Sequence, residues 1–256
     1  MSLSEWFYAV PPITRTYVTG AIVVTGLCSL DVVSPFSLYF NMNLVMSKLQ
    51  LWRLFTNFFF FGALGVDFLF HMFFLARYCR LLEEGSFRGR TADFALMLCF
   101  GGVLMCLMSV VINAPPFLGS SLAFMMVYVW ARRNDDVRMS FLGLFTFRAP
   151  YLPWVLLGFS VLLGNSPSVD LMGIAVGHLY FFLDDVFPYT RGGRGRRPLR
   201  SPAWLLRLLE GEGLFGAPVP VPVPVVQHGF QQPVMHANAM REAADGEPAA
   251  AAAGAE

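Results

Sequence analysis

Gly119-Ser120-Ser121 and His178 are the residues of this chain whose types suit covalent chemistry. A serine nucleophile needs a histidine base within hydrogen-bond reach, and oxyanion donors in a cavity that admits water. Both groups lie inside apolar stretches, so the chemistry would be that of an intramembrane serine protease using Ser120 or Ser121 with His178. Depth opposes the pairing. At the helical rise, Ser121 falls about 6 Å from the start of its segment and His178 about 13 Å from the start of its own. Helices beginning at unequal heights would close that gap. Otherwise His178 is a satisfied interior donor, because a charged imidazolium is disfavoured at mid-helix.

Other polar and small residues have their own uses. Asn57, Asp67 and His71 sit in a second apolar stretch, where polar groups are costly in lipid and should face the protein interior or a wet cavity. A structural hydrogen-bond network is the expected use, and a site is the alternative. Gly173 and Gly177 are four apart, hence on one helix face, where missing side chains let a neighbouring backbone approach. Trp52 and Arg53 open the run LWRLFTNFFFFG. An indole suits a membrane boundary, and an arginine there lays its stem along hydrocarbon with its guanidinium among phosphates. The pair reads as an interfacial anchor or as a loop that engages the membrane for a purpose. Cys28, Cys79, Cys99 and Cys106 show neither CxxC nor His/Cys ligand spacing, so they are expected to be packed thiols. No metal or cofactor is implied.

The elements that position these residues follow from composition. With 56% hydrophobic and 14% charged residues, and a mean hydropathy of +0.57, the chain is too apolar for an ordinary soluble domain. A net charge of +1 provides no global field for nucleic acid. Six apolar segments stand out, at residues 16–34, 54–76, 94–112, 117–131, 151–164 and 171–187. Continuous runs without strict alternation select helices over a barrel, giving an all-α polytopic membrane protein. Of the 18 Lys and Arg, all but Lys48 and Arg53 fall on one side of this layout. That asymmetry predicts both termini in the cytosol and the Trp52-Arg53 loop in the lumen. The first helix would act as its own targeting signal, since no cleavable signal peptide is visible.

The chain divides into a cytosolic arm at 1–15, a membrane domain at 16–187 and a cytosolic tail at 188–256. In the tail, RGGRGRRPLR should hug anionic lipid. Trp204, Leu205, Leu208 and Leu209 fit a short interfacial helix, and the Gly-, Pro- and Ala-rich remainder is expected to be extended and disordered.

Segment length is the second deduction. Crossing about 30 Å of hydrocarbon takes roughly 20 helical residues. The second and third segments are long enough. Pro150 and Asn165 bound the fifth closely, Asp170 and Asp184 the sixth, Asp31 cuts the first short, and the fourth runs only from Phe117 to Arg132. Either these acids sit in the headgroup layer while the helices continue past them, or the bilayer thins around short helices. A small-molecule transporter, a third class, would show inverted halves with interrupted helices at matching positions, and neither is visible.

The motifs PPITRTY, LWRLFTNFFFFG, RTADF, YVWARRN, YLPWVLLGF and GIAVGHLYFFL, in this order between about residues 5 and 204, resemble the Derlin family, in its plant type. These are rhomboid-related pseudoproteases of the endoplasmic reticulum. The resemblance implies a multi-pass, six-transmembrane-helix rhomboid-like bundle without a working catalytic dyad. It further implies a role in endoplasmic-reticulum-associated degradation and the unfolded protein response: retrotranslocating misfolded protein clients with a membrane RING ubiquitin ligase and a cytosolic AAA+ segregase, as a homo- or hetero-oligomer. The family's Trp-Arg motif falls on Trp52 and Arg53 and its GxxxG on Gly173 and Gly177. Its segregase-recruiting tail motif is not matched by Gly229-Phe230-Gln231. Joined to the segment lengths, the resemblance suggests a protein that assists chain crossing through a locally thinned bilayer.

Overall fold

The computed structural model describes residues 10–112, 117–141, 145–190 and 199–209. Four expectations lie outside them: the first nine residues of the arm, the turn at Pro115, most of the basic run after Thr190, and the tail beyond Leu209 with Gly229-Phe230-Gln231. The described residues all belong to one compact unit, within Met1–Val219.

Helix α1 runs Pro12–Ser29 and starts earlier than the apolar pattern predicted. Proline at the first helical position has its φ preset and lacks an N–H that would have no helical acceptor. The next two orphan N–H groups need a remote acceptor. Ile13 N and Thr14 N donate to the Glu83 carboxylate at 3.0 and 2.8 Å, and Thr14 Oγ1 donates to it at 2.7 Å. A buried acid thus caps α1 from the far end of another helix.

After Asp31, at φ 55°, the chain makes three short helices: α2 (Pro35–Leu38), α3 (Met42–Lys48) and α4 (Arg53–Thr56). Here the structure corrects the expectation from sequence. The second apolar segment is not one helix from Leu54: α4 stops at Thr56, Gly62 turns the chain at φ +89°, and α5 begins at Val66 and ends at Leu81. Phe58 and Phe61 turn into the core instead of lining a span. Burying two such rings stabilises by about 2 kcal/mol each, and glycine makes the left-handed turn without strain. Asn57 therefore belongs to a loop.

A π-turn, Leu82–Ser86, leads to α6 (Thr91–Ile112), at 22 residues the longest α-helix among the described residues. Helix α7 (Gly119–Arg133) is the axis of the fold, with every residue from Ser121 to Ala131 buried. A hairpin not expected from the sequence follows, β1 (Arg138–Phe141) paired antiparallel with β2 (Phe145–Arg148). A 3-10 turn, Ala149–Tyr151, opens the 11-residue α8 (Leu152–Leu162), and Gly164 at φ +88° closes it.

Helix α9 (Pro167–Phe181) continues through a π-turn, Phe182–Val186, and a 3-10 turn, Phe187–Tyr189. The sixth segment is thus not stopped by its acids: Asp170 lies inside the first turn, Asp184 inside the last, and the helical path spans 23 residues. Helix α10 (Ala203–Leu209) forms where the Trp204–Leu209 pattern predicted one. It packs beside α6, and Ser201 N reaches Asp93 Oδ1 at 3.2 Å.

Among the described residues two stretches are long and apolar enough to cross a membrane, Thr91–Ile112 and Pro167–Tyr189, and Ala149–Leu162 is a shorter apolar helix. The cysteines are free thiols, but only Cys28 and Cys79 are buried; Cys106 is half-buried and Cys99 exposed.

Candidate functional site

The tightest seam joins α7 to α9, the most extensive helix pair of the bundle. A Cβ on Gly173 would collide with the Ser121 carbonyl oxygen, and one on Gly177 would lie 3.0 Å from Tyr128 Cβ and 3.2 Å from Met125 O. Both glycines thus face α7 one turn apart, as their spacing predicted. The seam places the serine and histidine at different heights. Ser121 Oγ donates to Val169 O at 2.6 Å, whereas His178 Nδ1 pairs with Tyr128 Oη at 2.7 Å, seven residues further along α7. At the helical rise those levels differ by about 10 Å, so Ser121 and His178 lie out of hydrogen-bond reach of each other. His178, however, is not interior: its ring is exposed on the flank of the bundle, and only Nδ1 is satisfied from within.

The other polar residues divide between two places. Asn57 is fully buried under the 31–65 loop, its Nδ2 donating to Arg53 O at 2.7 Å and Leu54 O at 3.1 Å. Asp67 and His71, on the first turns of α5, border a cavity of about 210 Å³ at the loop end of the bundle. Ser120, Asn165, Ser166 and Asp170 are among its other walls. Its size is room for several waters. Asp67 Oδ1 accepts from Asn165 Nδ2 at 2.8 Å, and Asp67 Oδ2 lies 3.5 Å from His71 Nδ1. Asn165 and Asp170 carried no sequence signal tying them to this network. They follow the same turn as α8 closes and α9 begins, and only the bundle brings that turn over α5. Ser120 shares this cavity with His71, a pairing that sequence spacing did not suggest.

The cavity adjoins a loose side of the bundle. Helix α8 packs on α7 and α9, while α5 reaches it through the Asp67–Asn165 hydrogen bond and the ring pair of Phe70 and Phe159 at 4.9 Å. Between them is a void of about 40 Å³ walled by Phe74, Val127, Leu156 and Ser160. Ser160 Oγ is buried there, outside hydrogen-bond geometry with any group but near enough to the Asp170 carboxyl to interact with it.

The loop itself is organised by Arg53. Its side chain is 7% exposed, and its guanidinium donates to Phe36 O at 3.0 Å, Tyr39 O at 2.9 Å and Gln50 Oε1 at 2.6 Å. It also stacks 4.8 Å from the Tyr39 ring. The guanidinium is turned inward, fastening the loop, instead of outward to phosphates as its place beside Trp52 had suggested. Charge-assisted bonds to two carbonyls that lack helical donors outweigh what one exposed headgroup contact offers. Trp52 points outward at 52% exposure, with Nε1 3.4 Å from Ser37 O.

The opposite end is closed by a group that sequence spacing did not single out. Arg133, at the end of α7, donates to Asp184 Oδ2 at 2.7 Å and Asp185 Oδ2 at 2.9 Å, and lies 4.7 Å from the Phe87 ring. One guanidinium thus holds the ends of α7 and α9 together and covers the α5–α6 turn. Among the described residues no group of three or more His, Cys, Asp and Glu is arranged to hold a metal.

A model of the Der1-like family matches residues 10–203. The chain is similar to Derlin-2.1 of Zea mays, 50% identical over 86% of this chain and 91% of that protein. It is similar to Derlin-2.2 of Arabidopsis thaliana, 51% identical over 82% of this chain and 89% of that protein. It also resembles Derlin-1 of Arabidopsis thaliana, 38% identical over 85% of this chain and 81% of that protein.

Proposed function

The chain belongs to the Der1-like family, and on that premise we propose that it is a non-catalytic, rhomboid-like component of endoplasmic-reticulum-associated degradation. It spans the endoplasmic reticulum membrane six times, with both termini cytosolic and the Arg53 loop lumenal. It assists misfolded clients in leaving the lumen or the bilayer toward a membrane RING ubiquitin ligase and a cytosolic AAA+ segregase, within a homo- or hetero-oligomer.

The observation that carries this reading is the shortness of the helix on the loose flank. Ala149–Leu162 reaches only about 21 Å at the helical rise, while the 91–112 helix of the same bundle reaches about 33 Å. A bilayer of about 30 Å must thin beside the short helix. The cost of carrying a polar group across falls as the hydrocarbon path shortens and water enters, so passage needs no covalent chemistry. Clients approach sideways, through the α5–α8 cleft and beside the polar cavity behind it. Trp52 grips the lumenal leaflet from a loop that Arg53 holds in shape.

The test is a map of bilayer thickness around the purified protein in lipid, alongside client turnover in cells lacking it. Thinning centred on α8 and stalled turnover are expected. An undisturbed bilayer around that helix would refute the mechanism. The protease alternative makes a different prediction: labelling by a serine-reactive probe that disappears in Ser120→Ala or Ser121→Ala.

A further inference from the structure

We propose that the cavity walled by Asp67, His71 and Asp170 is a subsite for one cationic side chain, a lysine ammonium or an arginine guanidinium, on a polypeptide segment entering between α5 and α8. This subsite rests on the client-handling function above and specifies the chemistry it selects.

Asp170 points to the ligand. It is 2% exposed and borders the cavity, and no group meets hydrogen-bond geometry at its Oδ2, although the Ser160 hydroxyl is near enough to interact with the carboxyl. An unmet carboxylate oxygen of this kind is among the most unfavourable groups to bury, and a charged N–H donor is the partner that best relieves it. Asp67 lies on the same cavity with one oxygen engaged by Asn165 and the other 3.5 Å from His71. The remaining polar walls, Ser120, Asn165 and Ser166, are neutral, and no Lys or Arg is among the lining residues. An anion would meet two carboxylates, and an alkyl side chain would leave Asp170 as it is. About 210 Å³ accommodates a single ammonium or guanidinium with some water.

Asp67 and His71 also wall the smaller void between α5 and α8, so a side chain passing through that cleft reaches the cavity directly. A membrane segment bearing a lysine or arginine is costly to keep in lipid, by about 2.5–3.5 kcal/mol on insertion scales. Such a segment gains by placing that group here. Misassembled spans exposing a basic residue are therefore the substrate class this cavity fits.

The experiment uses the full chain in phosphatidylcholine liposomes with single-span peptides that differ at one lumen-proximal position, Arg, Lys, norleucine or Glu, each beside a photo-crosslinker. Arg and Lys peptides are expected to crosslink about five-fold more than the other two. Asp170→Asn should remove that preference and Asp170→Glu should retain it. Equal labelling of all four peptides, a preference for Glu, or a preference that survives Asp170→Asn overturns the proposal. The comparison on the unmodified chain decides by itself if Asp170→Asn fails to fold. Loss of the preference on adding phosphatidylethanolamine would reassign the subsite to a lipid ammonium and also overturn it. If the chain is needed for client turnover while the peptides are not discriminated, the subsite fails and the function stands. If the peptides are discriminated while turnover does not need the chain, the subsite stands and the function fails.

Discussion

Helices α7 and α9 meet backbone to backbone through Gly173 and Gly177, whereas α5 and α8 meet through the Asp67–Asn165 hydrogen bond and the Phe70–Phe159 ring pair. The first contact has no slack, because a single added methyl meets a carbonyl oxygen. The second holds a void and a buried hydroxyl, Ser160, that meets no group in good hydrogen-bond geometry. Rigidity is therefore concentrated on one side of the central helix, and opening costs little on the other. The sideways entry proposed for clients needs that asymmetry.

The contrast breaks most readily at the seam. Gly173→Val should destabilise by about 3 kcal/mol or more, since the obstructing atom is backbone and cannot swing away. Thermal melting in detergent would show it as a lost or much lowered transition. Gly177→Ala, facing a side-chain carbon at 3.0 Å, should cost clearly less, and equal costs would contradict this packing.

Next in size is Arg53→Ala, expected to cost about 2–3 kcal/mol by leaving two loop carbonyls without their charged donor. Limited proteolysis should cut within residues 36–53 first. Trp52→Ala, by contrast, should leave stability within about 0.5 kcal/mol and act on client turnover alone.

A smaller change tests the loose side. Asn165→Ala removes one hydrogen bond worth about 1 kcal/mol, so disulfide crosslinking between cysteines placed at Phe70 and Phe159 should fall, with the seam unaffected. Unchanged crosslinking would mean that this bond does not hold the cleft.

The smallest effect lies at the far end. Burial pushes the Glu83 carboxyl above its ordinary range, and hydrogen bonds from Thr14 and Ile13 only partly oppose it. A folded-state value above the unfolded one means that the folded protein holds the proton more tightly. The contribution to stability is present below the ordinary glutamate range, about 4.3, and is lost as pH rises through the folded-state value. The melting difference between the native chain and Glu83→Gln should shrink accordingly from acid toward neutral pH, while α5–α8 crosslinking stays constant.

Much of the site was legible in sequence only as a set of candidates. The Gly173 and Gly177 face was readable because helical spacing alone puts the two on one side, and the serine–histidine mismatch because depth follows from residue count. The second span was not: LWRLFTNFFFFG is apolar enough to be membrane helix, and only the core that receives Phe58 and Phe61 makes it a folded loop. The inward turn of Arg53 was hidden for the same reason, since its acceptors at Phe36 and Tyr39 lie fourteen or more residues away. The acids of the sixth segment looked like ends because charge ends spans in lipid. Arg133 lets the helical path run past Asp184 and Asp185, and Asp170 stands at the wall of the cavity.

Local chemistry determined the helical class, the apolar segments and the small-residue face, since each depends on composition or on spacing within a few turns, and the order of six short motifs along the chain carried the family likeness. The tertiary structure decided which polar residues share a cavity, which arginine is a fastener and which flank is loose. Those outcomes depend on contacts between residues such as Asp67 and Asn165, 98 positions apart, that no local pattern records.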